Sequence, residues 1–170
     1  GICFIGERPF REFLNRYLPT QPGEMVTPEG NVVGQHIGLS FYTLGQRQGL
    51  EVGGVRGAAE KPWYVAAKDL GRNTLVVVQQ HDHALLLCTE FVTEPAHWIA
   101  GAAPAEQFRC AVKTRYRQAD QACEVRILRD GRCSVRTDVA QRAVTPGQSA
   151  VFYRGDECLG GAVLADIVAM

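Results

Sequence analysis

The sequence has no uninterrupted apolar run of about 18 residues or more, and no charged-then-apolar leader opens it. The first absence predicts that the chain has no membrane span, and the second predicts no secretory signal. Net charge is also lacking, because 18 basic residues balance 18 acidic residues. This balance excludes a histone-like polycation but permits a local basic face. We therefore expect a cytoplasmic protein.

Cysteine pairs with the spacing of metal or redox sites are also missing. The six cysteines include no CxxC pair, so we expect reduced thiols that are mostly small buried hydrophobes. His81 and His83 alternate upstream of Cys88, but the four-ligand spacing of zinc sites is absent. Ordinary surface or capping histidines are therefore favoured over metal ligands. Neither GxGxxG nor GxxxxGK followed by serine or threonine occurs, which excludes these phosphate-binding loops.

Lysine is scarce, since only Lys61, Lys68 and Lys113 are lysines among the 18 basic residues. The planar fork of arginine suits phosphates and base stacking. A high-GC coding bias gives the same arginine excess, and both interpretations stay open. With 170 residues, 46% of them hydrophobic, the chain is expected to fold as one domain or two small ones.

The first half of the chain predicts one helix followed by short strands. Apolar residues from Phe10 to Leu18 form a single stripe at helical spacing. From residue 24 to about 80, short β-like stretches alternate with turn sequences. The candidate strands in this half are residues 25–26, 32–33, 40–43, 63–67 and 74–78.

The second half of the chain is more clearly all-β. Short apolar stretches recur at roughly ten-residue spacing, which is typical of a small barrel or sandwich. A weak connector at 94–106 precedes them, and we place the domain boundary near residues 85–95. The candidate strands here are residues 108–117, 123–128, 133–137, 149–154 and 158–168.

A basic stripe is the clearest binding feature of this half. Period-two alternation in the predicted strand 108–117 puts four cations on one face, where they can follow phosphates. Tyr116 can stack on a splayed base, although the same alternation points it inward. A solvated face with acids from neighbouring strands is the alternative. The four cations are Arg109, Lys113, Arg115 and Arg117.

Cys3 lies between glycines in GICFIG, close to the N-terminus of the predicted helix. A thiol near such an end can have a lowered pKa and be reactive. The alternative is a buried structural cysteine. Residue chemistry alone therefore indicates a cytosolic, mostly β protein and permits an RNA-binding face.

Six motifs occur in order: GICFIGERPFREFL, HIGLSFYTLGQRQGL, PWYVAAKD, VKTRYRQ, VTPGQSAVFY and CLGG. Together they resemble the C-terminal portion of bacterial tRNA-specific 2-thiouridylases over nearly the whole chain. The resemblance implies a mostly β fold with a minor α component. It implies a small α+β module followed by an antiparallel β-barrel resembling an elongation-factor barrel domain. The implied divisions are the end of a catalytic-cysteine segment (1–8), a middle α+β domain (9–88) and a C-terminal β-barrel domain (89–170).

The resemblance also implies a reaction. In this family an N-terminal ATP-pyrophosphatase domain adenylates the wobble uridine of certain tRNAs, and a cysteine persulfide then delivers sulfur to C2. Cys3 matches the persulfide cysteine, and Arg115, Tyr116 and Gln148 match tRNA contacts. ATP with Mg is the implied cofactor of the full-length protein, with none expected within these 170 residues. The implied partners are tRNA (anticodon-stem region and wobble uridine) and a sulfur-relay donor protein, with no DNA and no membrane.

The chain opens on Gly1 rather than Met, and the ATP-binding loop of the family has no counterpart in it. We therefore expect a piece of a longer enzyme that does not thiolate tRNA alone. Two alternatives stay open at this point. One is a free-standing RNA-binding β-barrel module without catalytic activity, and the other is a thiol or metal-binding protein.

Overall fold

The computed structural model describes residues 20–50, 52 and 61–168, which form two compact units that divide between His83 and Ala84. The predicted helix at Phe10–Leu18 and Cys3 both lie outside the described residues. Within the described ranges, no helix is long and apolar enough to cross a membrane. In the same ranges, no group of three or more His, Cys, Asp or Glu residues is placed to hold a metal ion.

The first unit contains a four-stranded mixed sheet. Strands β1 and β4 pair in parallel, and the outer pairs β1–β2 and β3–β4 are antiparallel, in the order β2-β1-β4-β3. Alternate strand residues such as Met25, Val65 and Leu75 are buried in one apolar core. The strands are β1 (Gly23–Val26), β2 (Val32–His36), β3 (Tyr64–Asp69) and β4 (Thr74–Val78).

The strand predicted at 40–43 is wrong, because the chain forms a 3-10 turn at Leu39–Phe41 there. Gly38 starts the turn: its N–H donates to His36 Nδ1 at 3.1 Å, and its carbonyl accepts the Phe41 N–H at 3.1 Å. The turn buries Leu39 and Phe41 while leaving Ser40 exposed. Tyr42 is buried as well, so burial over 39–43 does not follow the period of two that a strand would show.

The second unit is a closed antiparallel barrel of six strands in the order β10-β7-β8-β9-β5-β11, with a β10–β11 pairing that completes the circle. A two-residue strand, β6, pairs with β11. The described residues thus confirm a mostly β fold with an antiparallel barrel. The strands are β5 (Leu87–Thr93), β6 (His97–Trp98), β7 (Gln107–Lys113), β8 (Gln121–Ile127), β9 (Cys133–Arg142), β10 (Ser149–Arg154) and β11 (Glu157–Val168).

Cysteines form part of the barrel core. Cys88, Cys123 and Cys133 are buried beside residues such as Phe91 and Phe152. Burial raises the pKa of the Cys88 and Cys133 thiols, because a thiolate is poorly solvated among apolar side chains. All five cysteines in the described part of the chain are free thiols. The three buried cysteines act as small apolar side chains in this core.

Strand β6 packs an aromatic side chain against the barrel core. The Trp98 ring stacks on Phe152 with ring centroids 5.5 Å apart, and it meets Phe108 edge-on at 5.8 Å. Gly160 on β11 allows this approach, since a Cβ there would lie 2.2 Å from the carbonyl oxygen of His97. The CLGG motif therefore has a packing role.

Candidate nucleic-acid interface

Strand β7 ends at Lys113, four residues before the end of the predicted strand. It ends because the Thr114 N–H donates to the side-chain Oε1 of Gln118 at 2.8 Å instead of to a neighbouring strand. Residues 114–117 form a turn, here called the basic turn, in which Arg117 has a positive φ of 61°. The prediction of four cations on one face of a single strand is therefore wrong.

Tyr116 points outward, contrary to the period-two prediction. The side chain is 83% exposed, because it lies in the basic turn rather than on a strand. The guanidinium carbon of Arg117 lies 5.2 Å from its ring centroid. An exposed aromatic ring beside a cation is suited to stacking on an unpaired base while the cation meets a phosphate.

The basic turn and the segment 147–153 line a cleft of about 650 Å³. Sequence reasoning did not single out Thr114 and Tyr153, which also line it. Both lie within the motifs VKTRYRQ and VTPGQSAVFY, which were the only signal for them. The cleft brings together five of the predicted RNA-binding residues: Lys113, Arg115, Tyr116, Arg117 and Gln148.

Arg115 is anchored to the backbone of Ala143. Its Nη2 donates to the carbonyl oxygen of Ala143 at 2.6 Å. Partial burial is the larger cause that lowers the pKa of Arg115, and repulsion by the charge of Arg142 is the smaller one. The guanidinium nevertheless remains charged at neutral pH. The anchor leaves further N–H donors on the same guanidinium for a ligand.

Lys113 forms one wall of the cleft. Its ammonium lies 2.9 Å from Asp120 Oδ1 and 4.8 Å from the centroid of the Tyr153 ring. The hydrogen bond to Asp120 raises the pKa of Lys113. Asp120 offsets part of the positive charge, so Arg115 and Arg117 are the stronger phosphate-binding candidates.

Gln148 presents an unpaired acceptor. Its Oε1 is buried and has no hydrogen-bond partner among the described residues. Its backbone is well held, since the Gln148 N–H donates to Thr145 and the Gln148 carbonyl accepts from Leu164 at 2.7 Å. A buried acceptor without a partner costs free energy, and rotation of the side chain toward a hydrogen-bond donor on a ligand would remove that cost.

Arg109 lies apart from the cleft. Its guanidinium donates two hydrogen bonds to the carboxylate of Asp138 on β9, one of them at 2.8 Å. The same hydrogen bonds hold the pKa of Asp138 below its usual value. For Arg109 the arrangement matches the alternative of a solvated strand face with acids from neighbouring strands.

Comparisons with known proteins cover both units. Residues 11–79 match the tRNA methyl transferase PRC-barrel domain, and residues 88–164 match the aminomethyltransferase beta-barrel domain. The tRNA-specific 2-thiouridylase MnmA of Chromohalobacter salexigens is 59% identical over 164 residues, and that of Burkholderia ambifaria is 58% identical. Each alignment covers 96% of this chain and 43% of the relative.

The protein of the same name from Marinobacter nauticus is 57% identical over 164 residues and is covered to 42% of its length. The chain thus spans less than half the length of the curated relatives it matches. Both domain models and these identities agree with the motifs read from the sequence. The chain belongs to the tRNA-specific 2-thiouridylase family and corresponds to the C-terminal portion of its members.

Proposed function

We propose that these 170 residues bind tRNA for an enzyme that makes 2-thiouridine at the wobble position, a tRNA-uridine 2-sulfurtransferase. The observation that carries the proposal is the cleft, which joins two arginines, an exposed tyrosine and an unpaired glutamine acceptor. The name of the relatives, tRNA-specific 2-thiouridylase, supports tRNA as the ligand.

The cleft chemistry suits RNA with accessible bases. Arg115 and Arg117 offer forked N–H donors for phosphate oxygens. Tyr116 offers a π-face for an unstacked base, which an anticodon loop presents without any melting. Gln148 lines the cleft, and rotation of its side chain would let the buried Oε1 accept a hydrogen bond from a base N–H or a 2′-hydroxyl.

The sulfur-transfer step is proposed for Cys3. The proposal rests on the match of GICFIG to the family motif, since Cys3 lies outside the described residues. A thiolate is needed to accept sulfur as a persulfide, and the terminal sulfur of a persulfide is a strong nucleophile near neutral pH. A sulfur-relay protein is the proposed donor.

We propose no site for ATP or Mg within these residues. The sequence contains neither glycine-rich phosphate loop, and no metal-binding group occurs in the part of the chain that the structure describes. We place the ATP-dependent activation of the uridine in another part of the full-length protein, since the relatives are more than twice as long. The 170 residues alone are accordingly proposed to bind tRNA without thiolating it.

Replacing Arg115 with alanine is expected to raise the Kd for tRNA about tenfold near 0.1 M salt, because a phosphate contact is lost. The slope of log K against log salt should also fall by about 0.9. Fluorescence anisotropy with labelled tRNA over a salt series measures both quantities. The proposal fails if the affinity and the slope both stay unchanged.

Arg109→Ala is the matched control for this substitution. It removes the same charge from the same segment, but Arg109 is paired with Asp138 and lies outside the cleft. We expect its Kd to stay within about twofold of the original chain. Equal losses from Arg109→Ala and Arg115→Ala would show that tRNA senses only the overall charge.

Gln148→Leu is expected to weaken tRNA binding about fivefold, because one hydrogen bond to the RNA is lost. The melting temperature should stay the same or rise, since the substitution removes a buried acceptor that has no protein partner. Anisotropy and thermal unfolding measure the two effects. Lower stability with unchanged affinity would contradict a role for Gln148 in RNA binding.

A further inference from the structure

We propose that three glutamines form a hydrogen-bonded relay that positions the basic turn for RNA binding. The glutamine relay consists of Gln118, Gln141 and Gln121. This inference rests on the proposed function of the cleft and adds residues that do not line it. Gln118 and Gln141 are thereby positioning residues rather than RNA contacts.

Gln118 forms hydrogen bonds with two residues of the basic turn. Its Oε1 accepts the Thr114 N–H at 2.8 Å and the Thr114 hydroxyl at 3.2 Å. Its backbone N–H donates to the Arg115 carbonyl at 3.2 Å. The Gln118 side chain therefore ties Thr114, the first residue of the turn, to Gln118, the residue that follows the turn.

Gln141 connects the turn to β9. It is only 6% exposed, and its Oε1 accepts from Gln118 Nε2 at 2.9 Å. Its Nε2 donates to Gln121 Oε1 at 3.0 Å and to the Val139 carbonyl at 2.7 Å. Gln121 Nε2 in turn donates to the Ala119 carbonyl at 3.0 Å.

The relay has a single direction. Each amide oxygen accepts from the preceding group, and each amide nitrogen donates to the next one. Reversing any one amide would face a donor with a donor or an acceptor with an acceptor, so all three orientations are specified together. A chain of this kind can hold a turn in one conformation.

Packing of side chains does not by itself hold the basic turn in one conformation. Thr114 is buried, but Tyr116 is 83% exposed and Arg115 and Arg117 are exposed, so three of the four side chains of the turn bury little apolar surface. The end of β9 holds the turn at two points, through Gln141 and through the Ala143 carbonyl that binds Arg115. Ordering the turn before the RNA arrives lowers the entropic cost of binding.

Gln118→Ala in the 170-residue chain tests the relay. Hydrogen exchange of a peptide covering residues 114–118, measured without RNA, should become about tenfold faster. The Kd for tRNA should rise about fivefold. Gln107→Ala is the matched control, because Gln107 is an exposed glutamine at the other end of β7. This control should leave exchange in 114–118 and tRNA affinity unchanged.

A double-mutant cycle separates positioning from contact. If Gln118 acts through the basic turn, Gln118→Ala should change the Kd by less than about twofold when Arg115 and Tyr116 are both alanine. A full fivefold effect in that background would mean that Gln118 acts independently of the turn, and the proposal would be wrong. Unchanged exchange in residues 114–118 would overturn it equally.

Failure of the cleft itself gives a different result. If the Arg115→Ala, Tyr116→Ala variant binds tRNA as tightly as the original chain, the proposed function of the cleft fails. Whether the glutamine relay orders the basic turn is then decided by the hydrogen-exchange measurement alone. Faster exchange in residues 114–118 supports the ordering role, and unchanged exchange refutes it.

Discussion

Replacing Cys3 with serine in the full-length protein is expected to reduce 2-thiouridine to the level of a reaction without enzyme. A serine oxygen cannot carry a persulfide, and its hydroxyl is not ionised near neutral pH, so the sulfur has no acceptor. Binding of tRNA should persist, because the proposed cleft residues are unchanged. Mass spectrometry of tRNA nucleosides measures the first outcome and anisotropy the second.

Cys158→Ser is the control for loss of a thiol elsewhere. Cys158 is a half-buried free cysteine on β11, away from GICFIG in sequence. Its replacement should leave 2-thiouridine formation intact. Of the other described cysteines, Cys88, Cys123 and Cys133 are buried in the barrel core, where removal of sulfur would disturb packing. If Cys3→Ser still thiolates tRNA normally, this chain acts as an RNA-binding module without a catalytic step.

Gly160→Ala is expected to destabilise the barrel by about 3 kcal/mol or more, since it combines overpacking with backbone strain. The added Cβ would lie 2.2 Å from the His97 carbonyl oxygen and 3.0 Å from the Trp98 Cα, which are backbone atoms without freedom to move aside. Strand β6 would have to leave β11 and withdraw Trp98 from Phe152.

Thermal unfolding should show this loss as a fall in Tm of more than about 10 °C, given the size of the barrel unit. Gly155→Ala separates the two causes, because Gly155 also has a positive φ but no atom within 4 Å of a Cβ. It should cost only about 1 kcal/mol of backbone strain. If both variants melt at the same temperature, contact with β6 is not the reason for a glycine at 160.

Strand prediction succeeded where a short apolar stretch adjoins clear turn residues. The candidate strands 74–78 and 149–154 coincide with β4 and β10. Strand β5 (Leu87–Thr93) was missed, because it lies where the domain boundary was expected. The strand at 40–43 was wrong because these apolar residues are buried from a 3-10 turn, and composition over four residues does not distinguish the two conformations.

For the candidate binding site, the sequence pointed to residues that line the cleft, but their geometry was not predicted. The basic stripe and the family motifs together identified five of the residues that line the cleft, yet the four at 113 and 115–117 were assumed to lie on a straight strand. Alternation could not reveal that Gln118 takes the Thr114 N–H away from the sheet and ends β7. For the same reason Tyr116 was placed inward although it is exposed.

The sequence by itself determined the mostly β fold, the family and the segments that form the cleft, because apolar period and motif order are local properties of the chain. Only the tertiary structure decided which cations act together. Arg109 donates to Asp138, which is 29 residues away in the sequence, while Arg115 donates to the Ala143 carbonyl, which is 28 residues away. Such partners meet only after the barrel closes, so no local pattern can assign one arginine to a salt bridge and the other to the binding cleft.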